Sequence, residues 1–253
     1  MKHFLLVSCI GSVLSGCAVT LAPHIPYLPT IRNRGQAEAR LSTGFSGSEL
    51  QLGYQVTDKL VVHTALLIKG RAQIGHKLHS ADVGVGYYYS SPNGLWRLGM
   101  HGGLASGGGK SYVSGESFEG SFPTPPIDYR VRYTYAYVQP TVHLHADRHT
   151  WSLGLRVSRA YYHRFTQMRA DTIGGMINTL SYGGTQVPFA QAVLQYGYRV
   201  SPLISLSATC GAQALLPTRT LLGDPEPLTS MSSAFVGQVG VHLTLRELAK
   251  RRP

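Results

Sequence analysis

The sequence is short of charge, of acids above all, and of cysteine. Charged residues make up 14% of the 253, where a water-soluble globular chain carries about 25%. Only 12 are acidic, against 23 lysines and arginines. Beyond the first 16 residues no apolar run approaches the roughly 20 residues that a membrane-crossing helix needs. Scarce charge without such a run fits neither a soluble domain nor a helical membrane protein. It fits a transmembrane β-barrel, which hides its hydrophobicity by alternation. There are three cysteines, Cys9, Cys17 and Cys210. If Cys9 leaves with a leader and Cys17 is modified, Cys210 is alone and no intramolecular disulfide can form.

The first residues have the layout of an export signal. Lys2 and His3 give a basic start, Phe4 to Leu14 is apolar, and small residues follow. Leu14-Ser15-Gly16-Cys17 resembles the lipobox of bacterial lipoproteins, in which Cys17 would become the acylated first residue. A plain secretory signal with a chance cysteine is the alternative. Ala18 follows where an aspartate often marks retention at the inner membrane, so this resemblance implies the outer membrane. The chain therefore divides into a lipoprotein signal peptide (1–16), a lipidated, Pro-rich periplasmic tether (17–34), a β-barrel (35–245) and a basic tail (246–253). Loss of Lys2 leaves 22 basic residues against 12 acidic, a balance of +10 with histidine neutral. Only Lys250-Arg251-Arg252 is clustered, so the surplus points to anionic lipid head groups and not to nucleic acid.

From Gly35 onward the hydrophobic period is two. In Ser48 to Val56, Leu50, Leu52, Tyr54 and Val56 oppose Glu49, Gln51, Gly53 and Gln55. In Thr150 to Tyr162, Trp151, Leu153, Leu155, Val157 and Tyr161 oppose Ser152, Gly154, Arg156, Ser158 and Ala160. The pattern predicts an all-β, antiparallel, up-and-down transmembrane barrel of about ten strands: 35–45, 48–56, 60–69, 77–90, 95–105, 129–144, 150–162, 187–200, 203–216 and 233–245. Several reach the 9–11 residues that a tilted membrane strand needs. Short turns at 57–59, 91–94, 146–148 and 201–202 alternate with longer connections at 70–76, 106–128, 163–186 and 217–232. That asymmetry puts the short turns, and with an even strand count both termini, on the periplasmic side. Two segments depart from the pattern. Residues 60–69 are apolar on both faces, as for a strand packed against a plug or neighbour. Pro140 interrupts 129–144, and the faces shift across Tyr137 to Val142 as at a bulge.

Tyr27-Leu28-Pro29, Arg34-Gly35-Gln36, Gly47 to Tyr54 and Thr57-Asp58-Lys59-Leu60, with Asp82 to Tyr88 and Tyr137-Val138-Gln139-Pro140, resemble segments of the small outer-membrane β-barrel lipoproteins of Bacteroidota. The resemblance implies fold and location, and carries no activity to particular residues.

Candidate sites follow from the faces. Glu38, Arg40, Glu49, Asp82, Arg97, Arg156 and Arg199 fall on the inner face, where charges must pair or be hydrated. They are read as an ion-pair network filling a narrow lumen, with a small basic channel as the alternative. His143, His145 and, past the turn, His149 are weak metal candidates, since H-x-H on a strand puts two imidazoles on one face. Gly107-Gly108-Gly109-Lys110-Ser111 lacks the first glycine of a phosphate loop, having Leu104 there, and reads as a flexible extracellular loop. Tyr87, Tyr88, Tyr89, Tyr129, Tyr133, Tyr135, Tyr137, Tyr161 and Tyr162 are read as interfacial girdles. The expected role is structural, adhesive or small-solute, non-enzymatic and without cofactor. The expected partners are outer-membrane lipids, lipopolysaccharide, and the barrel-assembly and lipoprotein-sorting machinery, with the chain itself a monomer. Two alternatives stand beside it. One is a lipid-anchored periplasmic β-sandwich or β-barrel binding protein. The other is a lipid A-modifying barrel that would use a rim histidine such as His163.

Overall fold

The computed structural model describes residues 24–44, 47–71, 76–113, 127–170, 177–216 and 233–245. Eleven strands form one antiparallel sheet: β1 (Ala37–Gly44), β2 (Gly47–Gln55), β3 (Leu60–Arg71), β4 (His76–Ser90), β5 (Trp96–Val113), β6 (Ile127–Ala146), β7 (His149–Ala170), β8 (Ile177–Tyr182), β9 (Thr185–Arg199), β10 (Ile204–Leu215) and β11 (Ser233–Leu245). Each pairs with its sequence neighbour, β1 pairs with β11, and β6 with β7, so the sheet closes on itself. β8 and β9 share one wall position. β7 pairs with β9 through His149 to Tyr162 and with β8 through Phe165 to Ala170. The result is a ten-stranded barrel, the size at which side chains can still fill the interior.

Alternation decides what each wall presents. Leu153, Leu155 and Val157 on β7 point outward and are exposed, while Ser152, Arg156 and Ser158 between them are buried inside. The same holds for Leu98 and Met100 against Arg97 and His101 on β5, and for Leu206 and Val241 against Ser207 and His242 on β10 and β11. Exposing this much apolar side chain to water would be costly at about 25 cal/mol per Å². Facing lipid, it costs nothing. The apolar faces therefore do not pack into a water-soluble core.

The predicted strand set matches, with three corrections. First, the connections after β5 and β7 are shorter than read, because the strands run on to Val113 and Ala170 and β8 returns. Gly107 to Lys110 belongs to β5 and is not a loop. Second, the bulge lies elsewhere. Tyr133 pairs with Tyr162 but Arg132 with Arg164, so His163 is the extra residue. Pro140 sits on the outer face and costs only the ladder toward β7, where pairing skips from Val138 to Thr141. Third, most of the tyrosines are not girdle residues. Tyr88, Tyr129, Tyr133, Tyr135, Tyr137 and Tyr162 point inward and are buried. Tyr87, Tyr89 and Tyr161 do face outward, and Tyr87 and Tyr89 form the aromatic belt near the short turns with Tyr54, Trp96 and Trp151, Tyr196 lying against the Trp151 ring at 4.8 Å between centroids.

Candidate functional site: the filled lumen

The lumen holds a segment of the chain itself. Residues His24 to Pro29 and Ile31 are buried, Ile25, Tyr27, Leu28 and Ile31 to within 2% of full. Read as part of an extended tether outside the membrane, residues 24–31 instead run inside the barrel. Residues 17–23, and Cys17 with them, lie outside the described residues. The prolines explain the local form: Pro26 and Pro29 keep the chain extended and remove N–H groups that would need partners in the lumen.

The inward carboxylates hold this segment. Glu38 accepts hydrogen bonds from Tyr27 Oη at 2.5 Å, from the Thr30 backbone N–H at 2.9 Å and from Thr30 Oγ1 at 2.7 Å. Glu49 contacts His24 Nδ1 at 2.9 Å and accepts from the Ile25 N–H at 3.2 Å. Three wall amides and a guanidinium satisfy the segment's carbonyls. Gln51 donates to Ile25 O at 2.8 Å, Gln139 to Tyr27 O at 2.8 Å and Gln191 to His24 O at 3.2 Å, while Arg97 donates to Ile31 O. Tyr27 and Ile31 pack with Val61 and Tyr88, and Tyr27 stacks on His63 at 4.6 Å. Val61 on the inner face of β3 is apolar for this reason, while Leu67 on the same face belongs to a second, aromatic cluster.

Six of the seven residues read as a lumen network are inside: Glu38, Arg40, Glu49, Asp82, Arg97 and Arg156. Arg199 is exposed at the short-turn mouth and donates to Asp147 O at 2.6 Å. The six do not form a network of ion pairs. Among the described residues Arg156 with Asp82, at 3.4 Å, is the one arginine–carboxylate pair. Arg40 donates to Gln195 Oε1 at 2.5 Å and Thr209 Oγ1 at 2.7 Å, and Arg97 to Gln55 Oε1 at 3.0 Å. Each of two guanidiniums also lies over an aromatic face, Arg97 over Tyr88 at 3.8 Å and Arg156 over Tyr137 at 4.0 Å. Such contacts favour a desolvated cation.

Toward the long-loop end one side of the lumen is filled by an aromatic cluster. Tyr133, Tyr135, Tyr162, Phe165 and Phe189 pack with Leu67 and Leu78. Glycines on the walls make the room. A Cβ added at Gly53 would stand 1.6 Å from Tyr27 Oη. We predict that Gly53→Val drives Tyr27 off Glu38, losing a bond to a charged acceptor of the kind worth about 1.5–3 kcal/mol. Tyr27 fluorescence quenching by acrylamide should rise in a Tyr27-only reporter background. Unchanged quenching would show that Tyr27 does not occupy that position.

The metal candidates do not converge. His143 and His145 point inward and stack at 6.0 Å between centroids, His143 on Ser152 Oγ at 2.8 Å. His149 is exposed and contacts Tyr196 Oη at 2.7 Å. No group of three metal-ligating side chains assembles among the described residues. His163, put on the outer wall by the bulge, contacts Thr134 Oγ1 at 3.1 Å. Among the described residues no carboxylate pairs with it.

Comparison with solved structures places the fold. The outer membrane protease OmpT from Escherichia coli superposes with a TM-score of 0.50 over 83% of this chain and 90% of that one, at 9% identity. This is the outer-membrane β-barrel fold. The translocator domain of the autotransporter NalP from Neisseria meningitidis gives a TM-score of 0.41 at 13% identity, covering 96% of this chain and 94% of its own. LpxR from Salmonella typhimurium gives 0.36 at 9%, covering 83% and 99%. No protein-family model matches the chain, and no curated protein sequence does.

Proposed function

We propose that this chain is a non-conducting outer-membrane lipoprotein barrel, closed by its own N-terminal segment and serving a structural or surface-attachment role. One observation carries the reading: residues 24–31 lie in the lumen with two backbone N–H groups and four carbonyls bonded to wall side chains. A solute pathway would leave inward polar groups free to meet water. Here the two glutamates and four wall donors are used on the segment. In planar bilayers the purified wild-type protein should give no stepwise conductance. Defined single-channel steps would overturn the closed reading.

The direction of the segment bears on the anchor. Ile31 meets Arg97 near the short turns, whereas His24 meets Gln191, which is level with Arg156 at mid-wall. Read backwards from β1, the chain climbs away from the short-turn mouth. The seven steps of chain from Cys17 to His24 reach at most about 24 Å when extended. On this reading an acyl group on Cys17 would meet the outer leaflet, whereas the sequence pattern led to the expectation of both termini on the periplasmic side. The end of β11 remains at the short-turn side, where Leu245 pairs with Ala37. An epitope inserted after Ala18 should be stained by antibody on intact cells. Staining only after permeabilisation would return the anchor to the periplasmic side.

A further inference from the structure

The outer wall of β4 to β7 carries a feature that the filled lumen does not explain. Just above the apolar band, basic residues stand side by side in register across neighbouring strands. Lys77 pairs with Lys110, and Lys110 with Arg130. One row nearer the membrane, Arg132 pairs directly with Arg164. Arg159 lies lower again, at the edge of the band beside Val157. All six are exposed. Among the described residues none of them pairs with a carboxylate. Like charges directly opposite across a sheet are destabilising. Six cations on a single wall, with Asp128 as the one described carboxylate on the outward face of these strands, make a standing repulsion that an anionic partner relieves.

Beneath these rows the wall is hollowed. Small side chains at Ala81, Ser106 and Ala136 lie between the larger Leu104, Arg159 and Tyr161 and form an outward groove of about 770 Å³. The groove is largely apolar at the depth of lipid tails and cationic at its top, at the depth of head groups. We infer that this wall binds a phosphorylated glycolipid of the outer leaflet, one tail in the groove and two phosphates on the arginine and lysine rows. A lipid with a single phosphate would leave most of the six cations unpaired. Arginine pairs suit phosphate because the planar fork donates two parallel hydrogen bonds. The inference rests on the outer-membrane location and not on the closed lumen.

The test uses the full-length protein in detergent, with native mass spectrometry and thermal unfolding as readouts. The probes are bis-phosphorylated lipid A, mono-phosphorylated lipid A, phosphatidylglycerol and phosphatidylethanolamine. Wild type should retain bis-phosphorylated lipid A at least tenfold more tightly than either mono-phosphorylated probe and should not retain phosphatidylethanolamine. The triple variant Arg130→Gln, Arg132→Gln, Arg164→Gln should lose that preference. Its midpoint without lipid should rise, because the repulsion is gone, and lipid A should no longer raise it further. The control variant Lys59→Gln, Arg148→Gln at the short-turn end should bind as wild type does. Equal retention of lipid A by wild type and triple variant would overturn the site. So would a triple variant less stable than wild type without lipid. Equal retention of phosphatidylglycerol and bis-phosphorylated lipid A would overturn the two-phosphate ligand. Failure of these outcomes leaves the conductance result untouched, so the two readings fail separately.

Discussion

Deleting residues 24–31 should turn a silent barrel into a conducting one. The segment fills the lower lumen, and the wall left behind is wettable. Glu38, Glu49, Gln51, Gln139, Gln191 and Arg97 would each lose a partner from the segment. Buried polar groups without partners cost about 1–3 kcal/mol each, and water is the available substitute. Above them the β4 to β7 side is aromatic, but the opposite side is lined by Ser42, Gln213 and Gln238, which offers a polar path upward. The ten-stranded wall closes through backbone ladders that do not involve the segment. The deletion should therefore retain heat-modifiable migration and give stepwise conductance in planar bilayers. A milder variant, Glu38→Ala with Glu49→Ala, removes five hydrogen-bond contacts to the segment and should give intermittent openings. Silence in both variants, with the barrel intact, would mean the aromatic cluster alone seals the lumen.

The second large effect is expected at Arg156. This guanidinium is fully buried, donates to Gln139 at 2.9 Å, pairs with Asp82 at 3.4 Å and covers the Tyr137 ring. Arg156→Ala leaves the Asp82 carboxylate buried without its countercharge, which costs about 3–5 kcal/mol. Neutralising both, Arg156→Met with Asp82→Asn, should cost much less, since a buried pair replaced by neutral residues of like volume is often close to neutral. Urea unfolding in lipid vesicles, followed by tryptophan fluorescence, measures both. If the double variant is as unstable as Arg156→Ala, packing over Tyr137, and not the charge, is what matters. The cycle also bears on position, because Gln139 links Arg156 to the Tyr27 carbonyl. Loosening of the segment in Arg156→Ala should therefore appear as greater quenching of Tyr27.

How much of this was readable beforehand varies by feature. Strands were legible because lipid on one side and a lumen on the other impose a strict period of two. Leu206, Ala208, Cys210 and Ala212 against Ser207, Thr209 and Gly211 can hardly be read otherwise. The inward charges were legible by the same parity, Arg199 excepted. It keeps the parity of Gln191 and Gln195 but is the last residue of β9, at the mouth, and parity carries no height. The tyrosines misled because clustering near strand ends says nothing of which face they take. Tyr133, Tyr135 and Tyr137 share one parity and all face inward, toward Phe189 and the lumen. His163 could not have been placed, since one extra residue in a ladder of 22 leaves no compositional mark.

The sequence by itself determined the closed β architecture, the outward apolar wall and the list of polar residues that must be hidden inside. Those follow from local alternation and from turn residues, which each strand carries alone. Only the tertiary structure decided what the hidden residues bond to. Glu38 and Glu49 were read with the inward arginines as one ion-pair network, because opposite charges on one face invite pairing. Closure of the ten strands instead leaves a space as wide as an extended chain, and the carboxylates meet the N–H groups of residues 25 and 30 before any arginine reaches them. The cation rows on β4 to β7 were likewise hidden, because Lys77, Lys110, Arg130 and Arg164 are far apart in sequence and become neighbours only through strand register.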